Sequence, residues 1–432
     1  MRKKLLLVAG LLLASLVGVW ARPVDPAMAR RVAETYMRHA GMENVAALQD
    51  VTAQTPFASF YVFAAPEGGF ILVSADDCVV PVLGYSVDKP FETKDMPENV
   101  RGWLDSYDSQ IAWVREQDAE RDGTLAALVA GQWQALLDGD ILPAPLTTAV
   151  SPLITTTWNQ APRYNNLCPY ESSSSAYTVT GCVATATAQI MKYFNHPATG
   201  YGSHSYTSSQ TAGGVTYTYG PLSANFGATT YQWANMPAAL TSASSQAQID
   251  AVATLMYHIG VADEMSYGIS SIGGSGAHNY NYGGYLVPSS QSSLMAYFKY
   301  CPDMAAIARA DYSDSAFCAL MRAELDQSRP ILYSGRHTSG GHSFVCDGYN
   351  ANGQFHFNWG WGGSQDGYFT MGSLNPGTGG IGGNGSGTYN MDNVILTRIR
   401  PNTNWGASAT TTITTQVTGN VTGASVDRKS VV

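Results

Sequence analysis

Cys182 is a thiol placed where it could do chemistry. Gly181 precedes it, and from there to Tyr193 there is no glycine, proline or acidic residue. That pattern predicts a turn running straight into a helix. Ala184, Ala188 and Met191 fall on one helical face, with Val183, Thr187 and Ile190 beside them. The helix is therefore expected to be surrounded by protein on most sides. A cysteine at its first position meets unpaired backbone N–H groups and the positive end of the macrodipole. Both favour the thiolate, so the chemistry indicated is nucleophilic attack.

A thiolate nucleophile needs a base, a group that orients the base, and a donor for the oxyanion. Among eight histidines, His342 is the strongest candidate, because it opens an apolar strand after Gly340 and Gly341. His258 lies in a helical pattern and His356 in a strand interior, so both read as structural, while His204 and His278 sit in polar loops. A turn near 350–353 would fold 358–362 back beside His342. That segment is Asn358-Trp359-Gly360-Trp361-Gly362. An amide oxygen can orient an imidazole and indole rings can shield the bond, which makes Asn358 the candidate orienter and Trp361 the candidate shield. The tryptophans read equally as plain core. Gln160, upstream of the Cys182 helix, is the candidate oxyanion donor together with the Cys182 backbone N–H.

The elements that must position these residues fall into two regions. Residues 23–147 carry 19 acidic and 8 basic side chains, whereas 151–400 carry 12 and 9. This shift predicts a domain boundary. The first region reads as a small α+β domain: a helix over 26–39, a hairpin over 59–74, a strand over 79–86 and mostly helix over 100–137. Residues 141–150, with two prolines, read as an exposed connection of the kind proteases cut. In the second region, helices are expected around Cys182 and over 247–259, 289–300 and 313–327. Glycine-rich loops are expected at 270–284 and 375–387. Strands at 330–334, 342–349, 354–359, 367–371 and 393–399 read as one antiparallel sheet. From 402 onward Thr, Ser and Val dominate with no core pattern, which fits a linker, a disordered tail or an edge strand pair.

Composition sets the setting. Charged residues are 13% of 432, and the net charge of −9 with no basic run argues against nucleic acid as a partner. Arg2-Lys3-Lys4, an apolar run over 5–20 and small residues before Arg22 read as a secretory leader over 1–21. The run is shorter than the ~20 residues of a spanning helix, so no membrane association is expected after its removal. Six cysteines in an exported chain allow three disulfides, and a Cys168–Cys182 pair would abolish the nucleophile. No CxxC pair points to zinc, and no cofactor is called for.

The segment Gly181-Cys182-Val183-Ala184-Thr185-Ala186-Thr187-Ala188-Gln189-Ile190-Met191-Lys192-Tyr193 resembles the nucleophile segment of the streptopain family of secreted cysteine proteases, which has relatives in oral Bacteroidetes. Gly340-Gly341-His342-Ser343-Phe344-Val345 and Asn358-Trp359-Gly360-Trp361-Gly362-Gly363 are similar to its base and tryptophan motifs, in order. The resemblance covers about 150–400, and 22–147 is similar to the family's propeptide. It implies an α+β, papain-like fold, with a helical subdomain facing an antiparallel β subdomain over 148–401. It implies a zymogen whose propeptide inhibits it and whose substrates are proteins and peptides. Cys182 attacks, His342 activates the thiol and protonates the leaving amine, and Gln160 matches the oxyanion glutamine. Ser275 and Gly341 match walls of the substrate cleft, to which Trp359 and Trp361 are also assigned. The resemblance further implies a hydrophobic preference at the second substrate position before the cut. Arg336, in the expected loop 335–341, stands where that family has an aliphatic residue. Two rival readings use the same residues. One is an acyltransferase or amidase with the same Cys–His pair, and the other an exported adhesin or binding module with oxidised cysteines.

Overall fold

The structure is a computed structural model of the chain and describes residues 22–94, 96–116, 123–142, 146–281, 287–337, 340–371 and 391–406. The expected leader, residues 143–145 of the connection, part of the first glycine-rich loop, the loop over 375–387 and the tail from 407 lie outside the described residues.

The N-terminal region opens with helix α1, Pro26–His39. Proline sits at its first turn, and the Asp25 carboxylate caps it by accepting the Met28 N–H at 2.8 Å. Four strands follow: β1 (Gln49–Asp50), β2 (Phe60–Ala64), β3 (Phe70–Ser74) and β4 (Val82–Ser86). Helices α2 (Glu98–Glu116) and α3 (Gly123–Asp138) complete the region. Ala29, Val32, Ala33 and Met37 of α1 and Val129 and Trp133 of α3 bury one face of β3 and β4.

The second region begins with the short hairpin β5 (Tyr170–Glu171) and β6 (Ala176–Tyr177), then helix α4, Cys182–Phe194. A long hairpin, β7 (His204–Ala212) and β8 (Val215–Ala224), precedes helices α5 (Gln246–Ala262) and α6 (Ser290–Ala296). Strand β9 (Ala305–Ala308) and helix α7 (Asp314–Leu325) lead into β10 (Ile331–His337), β11 (Gly340–Tyr349), β12 (Phe355–Asn358), β13 (Gly367–Phe369) and β14 (Met391–Thr397).

The two regions share one sheet. Ten antiparallel strands run in the order β1-β2-β3-β4-β13-β12-β11-β10-β14-β9. The junction is β4 against β13, with Tyr85 opposite Tyr368 and Gly84 opposite Phe369. A Cβ on Gly84 would stand 2.7 Å from the Phe369 ring, so glycine is what lets the strands close there. The charge shift at the connection therefore does not mark a separately packed domain: residues up to 401 form one compact unit. Its physical basis is the continuous backbone ladder together with α2, whose Trp103 and Tyr107 are buried with Phe344, Phe357 and Phe369 of the second region's strands.

Side-chain alternation sorts the centre of the sheet. Phe344 and Cys346 of β11 face α2 and α7, whereas Val345 joins Val183 and Ala184 of α4 in the other core. Two expectations are corrected. The helix over 289–300 ends at Ala296, although its Ser289–Ser292 capping box forms. Residues 335–337 and 340–341 are strand rather than loop: β10 and β11 pair there, with Arg336 opposite Gly341. The Tyr-, Thr- and Ser-rich stretch after 200 forms the β7–β8 hairpin, turning on Gly213 and Gly214, both at positive φ.

Candidate active site

Gly181 precedes α4 at φ 84°. A side chain there would meet the Met265 sulfur and the Ser275 carbonyl, each at 2.9 Å, so only glycine admits this approach. The Thr185 hydroxyl donates to the Gly181 carbonyl at 3.0 Å and pairs with the Thr180 hydroxyl at 2.9 Å, fixing the first turn. Cys182 then stands half-buried at the helix N-terminus. All six cysteines are free thiols. Cys168 is one of these free thiols, pushed up to about 12 by burial, and is not paired with Cys182.

Across from α4, β11 brings His342 to Cys182. Burial by itself would raise the Cys182 thiol. The nearby His342, with the polar groups of Ser343, more than offsets burial and lowers it. His342 moves the other way. Burial disfavours its charge, but Cys182 and Glu98 together hold it above an ordinary histidine. The pair is thereby biased toward thiolate and imidazolium.

Glu98 belongs to α2, in the N-terminal region, and its Oε2 lies 3.4 Å from His342 Nε2. Its neighbour Asn99 is fully buried against the tryptophan segment. Asn99 Nδ2 donates to the Trp359 carbonyl at 3.2 Å, and its Oδ1 accepts from the Trp361 indole at 2.9 Å. Sequence reasoning passed over both residues. Asn99 sits at the polar start of an otherwise amphipathic helix, and only the sheet partnership explains its target.

None of the hydrogen bonds of Asn358 in this structure goes to His342. It lies opposite Val345 rather than His342. Its amide is fully committed elsewhere: Nδ2 donates to the Thr156 carbonyl at 2.8 Å and to Gln189 Oε1 at 3.2 Å, and Oδ1 accepts from Gln189 Nε2 at 2.9 Å and Gly360 N–H at 3.1 Å. The same Gln189 Oε1 accepts from the Thr156 hydroxyl and the Trp158 N–H. This buried amide pair ties α4 to β12 and shapes the turn that carries Trp361.

The assigned cleft residues divide. Trp359 is fully buried, its indole donating to the Gln365 carbonyl at 3.0 Å, so it is core and not a cleft wall. Trp361 is half-buried and bonded to Asn99. Ser275 lies beside Gly181 through its carbonyl. Its hydroxyl is occupied by the Val179 carbonyl at 2.6 Å and by both backbone groups of Gly268. Gly341 is exposed next to His342. The Gln160 backbone carbonyl accepts from the Thr180 N–H at 3.3 Å, which fixes that segment against the turn before Cys182. Of the remaining histidines, His258 is buried and bonded to the Tyr231 hydroxyl at 3.0 Å, and His356 pairs with the buried Asp347 at 2.6 Å, both structural as expected.

Residues 158–369 match the model of the Peptidase C10 family, and 21–111 match that of the Spi protease inhibitor. Streptopain of Streptococcus pyogenes is 32% identical over 352 residues, covering 80% of this chain and 81% of streptopain. The chain belongs to the Peptidase C10 family of cysteine proteases. The thiol protease/hemagglutinin PrtT of Porphyromonas gingivalis is likewise 32% identical over 413 residues, but the chain spans only 45% of its length. Among solved structures, a prointerpain A fragment of Prevotella intermedia superposes with a TM-score of 0.58 at 32% identity, covering 81% of this chain and 97% of the fragment. The fold is the α+β, papain-like one, preceded by an inhibitor-like N-terminal region.

Proposed function

We propose that this chain is the zymogen of an exported cysteine endopeptidase that cleaves peptide bonds through Cys182 and His342. The observation that carries the reading is the placement of Cys182 at the N-terminus of α4 with His342 of β11 beside it, which also lowers the thiol and raises the imidazole. The Cys182 thiolate attacks the scissile carbonyl carbon. The oxyanion that forms is stabilised by the Cys182 backbone N–H and the Gln160 amide. The His342 imidazolium gives its proton to the leaving amine, and the neutral imidazole then takes one from the water that releases the acyl group. A hydrophobic side chain is preferred at the second position before the cut, with Gly341 and the Ser275 backbone beside the substrate.

The region 22–142 acts as the propeptide. Glu98 engages the base and Asn99 the tryptophan segment, so both groups must leave before substrate can settle. The connection supports a cut before position 146. Ile141 is 66% exposed, whereas Leu146 already donates to the Ala351 carbonyl and Val150 pairs with Tyr349. The free thiols weigh against an oxidised binding module.

The test is hydrolysis of fluorogenic peptides, with and without an epoxide that traps thiolates. Cleavage that the epoxide abolishes is expected. The pH profile should rise as Cys182 loses its proton below the ordinary thiol range and fall as His342 loses its proton above the ordinary histidine value. Acyl transfer to amines without peptide hydrolysis would replace this reading by the acyltransferase one.

A further inference from the structure

We propose that, once residues 22–142 have left as the propeptide reading requires, the catalytic region pairs with a second copy of itself. The contact is β13 against β13, about a two-fold axis at Tyr368.

Strand β13 lies inside the sheet because β4 covers one of its sides. The Thr370 N–H donates to the Leu83 carbonyl at 2.8 Å. In an antiparallel ladder the hydrogen-bonded pairs recur at every second residue, so Tyr368, opposite Tyr85, is also such a position. Its N–H and carbonyl therefore point toward β4 and lose their partners when β4 leaves. The same departure takes the Trp103 indole off Phe357 and Trp359. A bare strand edge beside a bare aromatic face is a template for another strand.

Two positions decide which strand fits. Strand β4 presents Gly84-Tyr85 to this edge. Gly84 stands opposite Phe369, whose ring would lie 2.7 Å from a Cβ there. Tyr85 stands opposite Tyr368, with the two rings stacked at 5.5 Å between centroids. Strand β13 carries the same dipeptide, Gly367-Tyr368. Laid antiparallel to its own copy with Tyr368 opposite Tyr368, it sets Gly367 opposite Phe369 on both sides of the axis. Each Phe369 ring again meets a glycine, tyrosine again meets tyrosine, and the axis falls on a hydrogen-bonded pair. A shift of one residue would turn the copy's aromatic face to the other side of the sheet. The surface is thus complementary to itself, which is what a closed two-fold dimer requires. The copy's β12 and β11 take the places of β3 and β2. Inhibited chain and dimer use one edge and exclude each other.

The experiment is sedimentation velocity over a concentration series. It compares the full-length Cys182→Ala chain with self-processed wild type, separated from its N-terminal piece and blocked with the thiolate-trapping epoxide. The full-length chain should remain monomeric and the processed chain should dimerise. Tyr368→Lys puts two ammonium groups opposite each other in the dimer but only a lysine against Tyr85 in the full-length chain. Once processed, it should dimerise about tenfold more weakly, through a lost aromatic pair and like-charge repulsion. Tyr368→Glu should behave the same way. An equal mixture of the two should recover the dimer, because residue 368 meets only its own copy. Unchanged peptide hydrolysis by each variant, before blocking, reports that it is folded. Processed wild type that is active yet monomeric at every concentration overturns the pairing and leaves the protease reading standing. So does a mixture no more dimeric than either variant alone. A full chain that cleaves no peptide and never loses its N-terminal piece removes the propeptide reading and the pairing with it.

Discussion

Replacing Asn99 by alanine should release the active site early. Asn99 is fully buried in the zymogen and makes two hydrogen bonds across to the second region, to the Trp359 carbonyl and from the Trp361 indole. Each such bond contributes about 0.5–1.5 kcal/mol net, so their loss weakens the closed state by ~1–3 kcal/mol. At 1.4 kcal/mol per tenfold, the fraction of molecules with the site open rises about 5- to 150-fold. If opening limits the first cut, self-processing of the full chain should start faster by that factor. The assay is the first-order onset of processing on gels at low protein concentration, where cleavage between molecules is slow. Asn99→Asp is a sharper variant, because it keeps the acceptor for the indole but sets a carboxylate against the Trp359 carbonyl. An onset for Asn99→Ala within about twofold of wild type, or slower, would refute the idea that these bonds hold the site closed.

Two further outcomes follow from packing and burial. Trp103 of α2 packs its indole on Phe357 at 5.0 Å and Trp359 at 6.0 Å between ring centroids, so Trp103→Ala should cost ~3–5 kcal/mol and lower the denaturation midpoint of the full chain in a Cys182→Ala background. Asp263 is buried beside Ser290, and burial pushes its carboxyl up to about 7. The folded chain therefore keeps a proton that the unfolded chain has already released, so the stability Asp263 contributes is full below about pH 4 and is lost as pH rises through about 7. Asp263→Asn should flatten this slope and raise stability at pH 8 by an amount on the order of 4 kcal/mol, read from urea melts at several pH values.

Much of the fold was legible because hydrophobic periods and turn residues acted locally. The helix over 26–39, the hairpin partners at 60–64 and 70–74, and the strands around His342 all emerge from such patterns. The sheet's continuity was not legible, because the β4–β13 pairing joins strands more than 280 positions apart and depends on Gly84, whose reason is a ring from the other region. The β7–β8 hairpin was missed because the inward positions of β7 include polar His204, Ser208 and Gln210, so its burial alternation has no matching hydrophobic alternation in the sequence. At the site, Cys182 and His342 were readable from a helix start and a glycine-led strand. The role of Asn358 was not. A hairpin register set by a bulge between Cys346 and Gly348 moves it opposite Val345, where Gln189 rather than His342 is the nearest amide partner. Glu98 and Asn99 were invisible for the same reason as β4: their partners lie across the new sheet junction.

The most direct measurement is the fate of the purified full-length chain with and without the Cys182 thiol. Wild type is expected to convert to a shorter form with a new N-terminus before position 146, and Cys182→Ala is expected to stay intact under the same conditions. Addition of a trace of processed wild type should then cut Cys182→Ala at the same place. Cys182→Ala that matures by itself at the wild-type rate would contradict the assignment of Cys182 as the nucleophile and of this chain as its own activator.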